Sequence, residues 1–150
     1  MLERYEQFSG AVSSLYRYIQ KIERDEMIKY GYKGSFAQYL VVLVRRPDGL
    51  TSTQLCEICD KDKAAVSRAV GEMEEKGLLM RESTGETMYR AKLKLTEEGR
   101  RAALFVCGRA QSAVAAAGRG LSEEARTAFY SSLGLIAQNL HTISKEGIPE

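Results

Sequence analysis

Apolar residues recur along the first part of the chain at alternating intervals of three and four. This spacing places them on one stripe of a long α-helix, because an α-helix has about 3.6 residues per turn. The stripe consists of Tyr5, Phe8, Val12, Leu15, Ile19 and Ile22. A similar stripe near the other end contains Ala125, Phe129, Leu133, Ile136, Leu140 and Ile143. Such stripes at both ends favour pairing of the terminal helices across a two-fold axis, so we expect a homodimer.

The segment between these stripes predicts shorter helices separated by turns. Gly31 and Gly34 interrupt the first helix, and Ser35 is placed to cap a second helix, FAQYLVVLVRR, which is apolar on nearly all sides. After the turn RPDG, Thr51 and Gln54 have the spacing of a capping box. They predict the start of a short third helix, STQLCEIC.

Only the residues DKD, 60 to 62, separate this short helix from a fourth helix, which lies within DKAAVSRAVGEMEEKGLLMR, residues 62 to 81. Asp62 is placed to cap the fourth helix, and Gly77 suits the left-handed position after its end. Two helices joined by so tight a turn indicate a helix-turn-helix motif. The inward face of the second of them is predicted to contain Val66, Ala69, Val70 and Met73, and the outward face Lys63, Ala64, Ser67, Arg68 and Gly71.

The charges of this fourth helix are arranged against the helix dipole. Lys63 and Arg68 occupy its first half and Glu72, Glu74 and Glu75 its second half, whereas the dipole favours the reverse order. A slim, basic first half suits insertion into the major groove of DNA, where small side chains admit the backbone and longer polar ones reach bases or phosphates. This arrangement therefore predicts a recognition helix.

The segment LLMRESTGETMYRAKLKLT predicts a β-hairpin around a Thr84-Gly85 turn. Its second strand alternates apolar and basic residues, with Tyr89, Ala91, Leu93 and Leu95 on one face and Arg90, Lys92 and Lys94 on the other. Thr96 and Ser122 are then placed to cap two further helices, the first of which ends near Gly118.

Composition and charge set limits on the class of protein. The 150 residues have the length of one ordinary domain, and 44% hydrophobic with 28% charged residues is typical of a soluble globular protein. The chain has no apolar run of the roughly 20 residues that span a bilayer and no signal peptide at its start, so we expect a cytoplasmic protein without a membrane partner. A net charge of +2 is mild, so any basic surface must be local. No catalytic activity is predicted.

The chain has three cysteines, Cys56, Cys59 and Cys107. An odd number of cysteines in a chain without an export signal does not indicate a disulfide framework. The CEIC spacing of Cys56 and Cys59 suggests zinc or thiol chemistry, but a zinc site needs about four ligands and the single His141 is distant in sequence. We therefore expect no metal or cofactor, interpret both cysteines as packing residues, and assign His141 no role. Thiol-based redox sensing through Cys56 and Cys59 remains an alternative.

The segment LTSTQLCEICDKDKAAVSRAVGEMEEKGLLMR, followed by KLKLTEEGR, resembles the winged helix-turn-helix of the MarR family of bacterial transcription regulators. The resemblance is close over residues 50 to 101. It implies a mainly α (α+β) fold in a single domain, 1–150, with the winged helix-turn-helix at about 35–96 and dimerisation helices at about 1–30 and 97–146. It also implies a ligand-responsive repressor that binds a pseudo-palindromic operator as a homodimer. The alternative function is a winged-helix protein-interaction module.

The resemblance places the fourth helix as the recognition helix and the hairpin from Arg81 to Leu95 as the wing. The double-stranded DNA contacts then expected are Lys61, Lys63, Ala64, Ser67, Arg68, Arg90, Lys92 and Lys94. The chain departs from the family in the wing, where the usual aspartate and arginine positions hold Thr87 to Tyr89 and Arg90 stands one place late. Asp60 replaces a common glycine in the turn, which requires aspartate to adopt a left-handed conformation.

The family also binds small phenolic or anionic effectors between its dimerisation and DNA-binding parts. Tyrosines gather in the first two helices of this chain, near that position. The resemblance therefore implies Tyr16, Arg17 and Tyr39 as candidate residues for an effector pocket.

Overall fold

A computed structural model of the chain describes residues 1–83, 85 and 90–150. Its elements are α1 (Leu2–Tyr30), α2 (Ala37–Val44), α3 (Ser52–Cys59), α4 (Lys63–Glu75), β1 (Leu79–Glu82), β2 (Lys92–Leu95), α5 (Glu97–Ala117) and α6 (Glu123–Glu146). The predicted order of helices, helix-turn-helix, hairpin and two long helices is confirmed, and so is the mainly α (α+β) fold class. The chain divides into two compact units, Met1–Ser112 and Ala113–Glu150.

Short-range caps set the starts of the helices, as the sequence predicts. At α3 the Thr51 hydroxyl accepts a hydrogen bond from the Gln54 N–H, and the Gln54 side chain accepts one from the Thr51 N–H. The Asp62 carboxylate accepts from the Ala65 N–H over 2.7 Å at the start of α4. Ser122 caps α6 in the same way. Each such cap contributes about 1 kcal/mol to the stability of its helix.

The start of α2 differs from the prediction that Ser35 caps it. A 3₁₀ turn, Gly34–Phe36, precedes the helix, and the Ala37 N–H donates to the Gly34 carbonyl. The backbone of this turn therefore accepts a hydrogen bond from an N–H group to which a capping side chain would otherwise bind. The capping role of Ser35 is therefore wrong, and α2 begins at Ala37 and ends at Val44.

The two strands form an antiparallel pair in which Leu79 lies opposite Leu95 and Arg81 opposite Leu93. A single bridge from Leu50 to Leu93 adds the chain before α3 to the sheet. Ala91 and Leu93 are buried, which agrees with the predicted apolar face. The predicted Thr84-Gly85 turn and the wing positions Thr87 to Tyr89 fall wholly or partly outside the described residues.

One hydrophobic core joins the end of α1 to the helix-turn-helix, the sheet and the first half of α5. Its largest fully buried side chains are Phe36, Met27, Leu40, Leu43, Leu55, Met73, Leu78, Leu93, Val66, Val70 and Val106. Buried Glu26 on α1 binds Lys29 at 2.8 Å and Arg109 of α5 at 3.1 Å. The hydrogen bond from Lys29 and that from Arg109 hold the pKa of Glu26 below its usual value, so this carboxylate stays ionised as a link between α1 and α5.

The second unit, Ala113–Glu150, contains the last turns of α5, the following turn and α6. Within it the Arg126 guanidinium donates to the Gly118 carbonyl at the turn over 3.2 Å. Helix α6 has no buried residue along its 24 positions. Its apolar stripe is therefore exposed in the single chain.

A junction of backbone groups ties the end of α4 and the start of β1 to α5. The Thr96 N–H donates to the Leu78 carbonyl over 3.0 Å, and the Thr96 hydroxyl donates to the Gly77 carbonyl over 2.6 Å. The same hydroxyl accepts from the Gly99 N–H at the start of α5. A Cβ on Gly99 would lie 2.0 Å from the Leu78 carbonyl oxygen, so only glycine allows this approach.

Replacing Gly99 with alanine should lower the free energy of unfolding by about 2–3 kcal/mol, because the helix and the backbone of Leu78 must separate. Denaturant titration of the wild type and the variant measures this change. Gly71→Ala in α4 is the control, since nothing lies within 4 Å of the added methyl group. That control should gain about 0.5–1 kcal/mol, and an unchanged Gly99→Ala protein would contradict the role of the junction.

Candidate nucleic-acid interface

Helix α4 presents a buried face and an exposed face that match the predicted division. Val66, Val70 and Met73 are buried in the core, and Ala69 is partly buried against it. On the opposite side all four predicted recognition residues are exposed, namely Lys63, Ala64, Ser67 and Arg68. Because the core fixes the orientation of α4, these four side chains form one outward surface in the first half of the helix.

Most of the predicted DNA-contacting cations form no ion pair among residues 1–83, 85 and 90–150. Lys61, Lys63, Arg68, Arg90 and Lys92 make no ion pair with any residue that the structure describes. All of them are exposed except Lys92, which is half-buried. Cations without internal partners keep their full charge for an external anion. The surface is therefore suited to phosphate groups.

Lys94 differs from the other predicted wing cations. Its ammonium group forms an ion pair with the Glu82 carboxylate of the neighbouring strand, and its side chain is only 29% exposed. It lies at the base of the hairpin, where Lys94 is directly opposite Met80. The charge of Lys94 is therefore already balanced inside the protein.

The glutamates in the second half of α4 connect the helix to its neighbours. Glu72 forms an ion pair with Lys33, which follows α1, and Glu74 forms one with Arg81 of β1 over 2.8 Å. These contacts explain why acidic residues stand at the end of the helix that the dipole disfavours for them. The unusual charge order is visible in the sequence, but these partners, which lie 39 and 7 residues away, are not.

The turn between α3 and α4 has the left-handed residue predicted from its sequence. Asp60 has φ 50° and ψ 52°, and it is the only non-glycine residue with positive φ among those the structure describes. The Lys61 N–H then donates to the Cys56 carbonyl over 3.1 Å, which closes the C-terminal end of α3. This turn sets where Lys61 and the start of α4 lie.

A cleft of about 240 Å³ lies between α1, α2 and α3. It is lined by Tyr16, Ile19, Gln20, Glu23, Gln38, Val41, Val42, Arg45, Ile58 and Cys59. Of the three predicted effector residues, Tyr16 lines this cleft, whereas Arg17 and Tyr39 do not belong to its described lining. The Arg17 guanidinium lies over the Tyr18 ring, and Tyr39 is buried in the core.

Two charged residues in this cleft were not identified from the sequence. Burial raises the pKa of Glu23, and the nearby Arg45 partly offsets this effect. A carboxyl group and a guanidinium group therefore share a partly enclosed space with apolar side chains. Glu23 lies on α1 and Arg45 directly follows α2, 22 residues later, and no pattern in the sequence indicates that they meet.

The cysteines are unpaired thiols in partly buried positions. Burial raises the pKa of Cys59 to about 11, and its Sγ donates to the Gln38 carbonyl over 3.7 Å. Within the described residues no three His, Cys, Asp or Glu side chains are grouped as metal ligands. No helix in the described ranges has the length and apolar composition to cross a membrane.

Comparisons with known proteins agree with this geometry. Residues 30–87 match the sequence model of the MarR family, whereas no curated protein matches the chain significantly. A putative MarR family transcriptional regulator from Listeria monocytogenes, solved in complex with a 26mer DNA, is 20% identical with a TM-score of 0.73, over 93% of this chain and 95% of that one. A MarR family protein from Bacillus stearothermophilus is 18% identical with a TM-score of 0.80, over 94% and 98%.

A MarR transcriptional regulator from Methanosarcina mazei shows the same likeness, with 22% identity and a TM-score of 0.79 over 92% of this chain and 99% of that one. At these identities the structures show a shared fold, and the sequence match to the MarR family covers residues 30–87. Residues 30–87 match the MarR family of transcriptional regulators in sequence, and the chain shares the winged helix-turn-helix fold of the solved MarR regulators.

Proposed function

We propose that this protein is a sequence-specific DNA-binding repressor that acts as a homodimer on a pseudo-palindromic operator. The observation that carries the proposal is the exposed first half of α4, whose Lys63 and Arg68 have no ion-pair partner among the described residues. The buried opposite face of α4 holds this surface rigidly, which is what a recognition helix requires. The DNA complex of the Listeria regulator, which shares the fold, supports the same role.

Each basic residue has a distinct part in this proposal. Lys61 and Lys63 bind phosphates beside the groove, and Ser67 and Arg68 reach base edges, with Ala64 leaving room for the close approach of the helix. Arg90 and Lys92 extend the contact along the wing. Lys94 contributes less, because its charge is balanced by Glu82.

Exposed apolar stripes on the terminal helices support the homodimer. On α1, Tyr5, Phe8, Val12 and Leu15 are exposed, and Leu15 retains 53% of its surface. On α6, Phe129, Leu133, Ile136 and Leu140 are exposed. Regular stripes of large apolar residues need a partner surface in water. A second copy of the chain would cover them and place two copies of α4 about 34–36 Å apart, the spacing of successive major grooves.

The cleft that Tyr16 lines is the proposed site of a small phenolic or anionic effector. Arg45 supplies a positive charge for an acidic group, and Tyr16 and Ile19 supply apolar contacts. An effector bound there would relieve repression if it prefers a dimer whose recognition helices are wrongly spaced. The change in DNA affinity cannot exceed the difference between the affinities of the effector for the two states.

Selection from a random duplex library should enrich an inverted repeat whose half-sites are about one helical turn apart. The affinity for the selected sequence should fall steeply with salt, with a logarithmic slope that grows by about 0.9 for each phosphate neutralised. Fluorescence anisotropy at several salt concentrations measures this slope. Enrichment of no sequence by the folded protein would instead favour a protein-interaction module.

Arg68→Ala should weaken binding to the selected operator by about 1–3 kcal/mol and relax the sequence preference at one position of each half-site. Lys63→Ala should weaken binding to all duplexes equally and reduce the salt slope by about 1 for each protomer. Arg119→Ala is the matched control, since Arg119 is exposed in the turn before α6. Equal effects of Arg68→Ala and Arg119→Ala would remove Arg68 from the interface.

Leu15→Lys should weaken dimerisation at least tenfold, because it places a charge in the apolar stripe of α1. Sedimentation velocity over a range of protein concentrations measures the monomer fraction. Ser13→Lys is the control, since Ser13 is exposed on the same helix but lies off the stripe. A wild-type protein that stays monomeric at micromolar concentrations would refute the homodimer.

Cys59 should react with iodoacetamide about 100-fold more slowly in the folded protein than in the unfolded chain at pH 7.5. Its pKa rises from 9.0 to about 11 on folding, so the reactive thiolate is about 100-fold rarer in the folded state, and this protection is lost as the pH rises toward 11. Mass spectrometry of the alkylated peptide measures the rate, with Cys56→Ala and Cys107→Ala isolating the signal. Rapid alkylation of Cys59 at pH 7.5 would restore the redox-sensing alternative.

A further inference from the structure

A second cleft lies at the base of the wing. It encloses about 160 Å³ between the end of α2 with its following turn, the two strands and the first turn of α5. We call it the wing-base cleft, and it is lined by Leu43, Val44, Arg46, Pro47, Met80, Lys94, Leu95 and Arg100. It is separate from the recognition surface of α4, and none of its lining residues belongs to the cleft that Tyr16 lines.

The wall formed by the turn after α2 is held by backbone contacts. The Gly49 N–H donates to the Arg46 carbonyl over 2.8 Å, and Leu50 and Leu93 exchange two hydrogen bonds of 3.1 and 2.7 Å. Gly49 has φ +83°, and a Cβ there would lie 2.8 Å from the Leu93 carbonyl oxygen and 2.9 Å from a side-chain carbon of Lys94. The turn therefore lies tightly against β2, and the position of Arg46 and Pro47 over the strand is fixed before any ligand binds.

Three positive side chains, Arg46, Lys94 and Arg100, line the wing-base cleft, and no described acidic residue lines it. Glu82 balances the charge of Lys94 from the neighbouring strand. Neither Arg46 nor Arg100 forms an ion pair within the described part of the chain. The described residues therefore leave two positive charges of the cleft uncompensated, and guanidinium groups match carboxylate and phosphate oxygens in geometry.

Apolar groups make up the rest of the lining. Val44, Pro47, Met80 and Leu95 contribute carbon and sulfur surface, and Met80 remains 49% exposed although it belongs to a strand. A hydrated inorganic ion or a DNA phosphate would leave this surface in water. A ligand with a carbon body would cover it, and removal of this apolar surface from water would favour binding.

We propose that the wing-base cleft binds a small organic dianion, whose acidic groups pair with Arg46 and Arg100 and whose carbon body covers Val44, Pro47 and Met80. The volume admits a single ring or a short chain, since it equals about five water molecules at their liquid volume. A dicarboxylate and a phosphate monoester both have this chemistry. Because Arg46 and Arg100 are exposed, the affinity is modest, with a dissociation constant of about 0.1–1 mM.

Lys94 connects this site to the wing. A bound dianion competes with Glu82 for the Lys94 ammonium group, so ligand binding and the ion pair between the two strands oppose each other. Loss of the Glu82 carboxylate should then strengthen ligand binding. Removing this negative charge would also strengthen general attraction to a basic surface, so only the size of the effect indicates a specific site. The Glu82 variant is therefore tested together with variants of the two arginines.

Isothermal titration of the full-length protein with phthalate, phenyl phosphate, benzoate and inorganic sulfate tests the proposal. Phthalate or phenyl phosphate should bind at least tenfold more tightly than benzoate and sulfate, and whichever of the two binds more tightly identifies the acidic group. Arg46→Gln and Arg100→Gln should each weaken this binding about tenfold, and Glu82→Gln should strengthen it several-fold. Arg119→Gln, an exposed arginine outside the cleft, should leave it unchanged.

Three results would overturn the proposal. The first is no detectable binding of phthalate or phenyl phosphate at 10 mM, roughly tenfold above the weakest expected dissociation constant. The second is equal binding of sulfate and the organic dianions, which would show that the apolar lining has no part. The third is binding that neither Arg46→Gln nor Arg100→Gln changes. A loss of DNA affinity in both variants without dianion binding would instead assign the two arginines to the DNA backbone.

Discussion

The close approach of Gly99 to the Leu78 carbonyl is the constraint on which the arrangement of the first unit depends. Leu78 lies between α4 and β1, and Gly99 lies in the first turn of α5. Thr96 closes the same junction through its N–H and its hydroxyl. Helix α4, which meets DNA in our proposal, is therefore joined to the start of α5 through backbone atoms. Because packed backbone atoms deform little, a displacement of one helix also moves the other.

Helix α4 satisfies two demands by dividing its charges along its length. In its second half, acidic residues form ion pairs with Lys33 and Arg81, and these pairs fix the helix against its neighbours. Its first half leaves Lys63 and Arg68 without an ion-pair partner among the described residues. An order of charges that weakens an isolated helix is tolerable here, because burial of Val66, Val70 and Met73 supplies most of the stability.

The sequence predicted those features that depend on short-range chemistry. The caps at Thr51, Asp62 and Ser122, the left-handed Asp60 and the two faces of α4 follow from spacing of a few residues. The sequence did not indicate the 3₁₀ turn around Ser35, because the Gly34 carbonyl and the Ser35 side chain compete there for the same N–H donor. The contact between Glu26 and Arg109 joins residues 83 positions apart. This contact and both clefts form only when distant elements meet, so no local sequence pattern predicts them.

The exposed face of α4 has a consequence for how this protein can diverge. Lys63, Ala64, Ser67 and Arg68 contribute no side chain to the core, so exchanging them leaves the folded state almost as stable as before. In our proposal these residues read the operator, so selection could change its preferred sequence without compensating substitutions elsewhere. Gene duplication followed by drift at these four positions would supply new regulators with the same fold. Substitutions at Val66, Val70 or Gly99 would instead destabilise the fold, and selection would remove them.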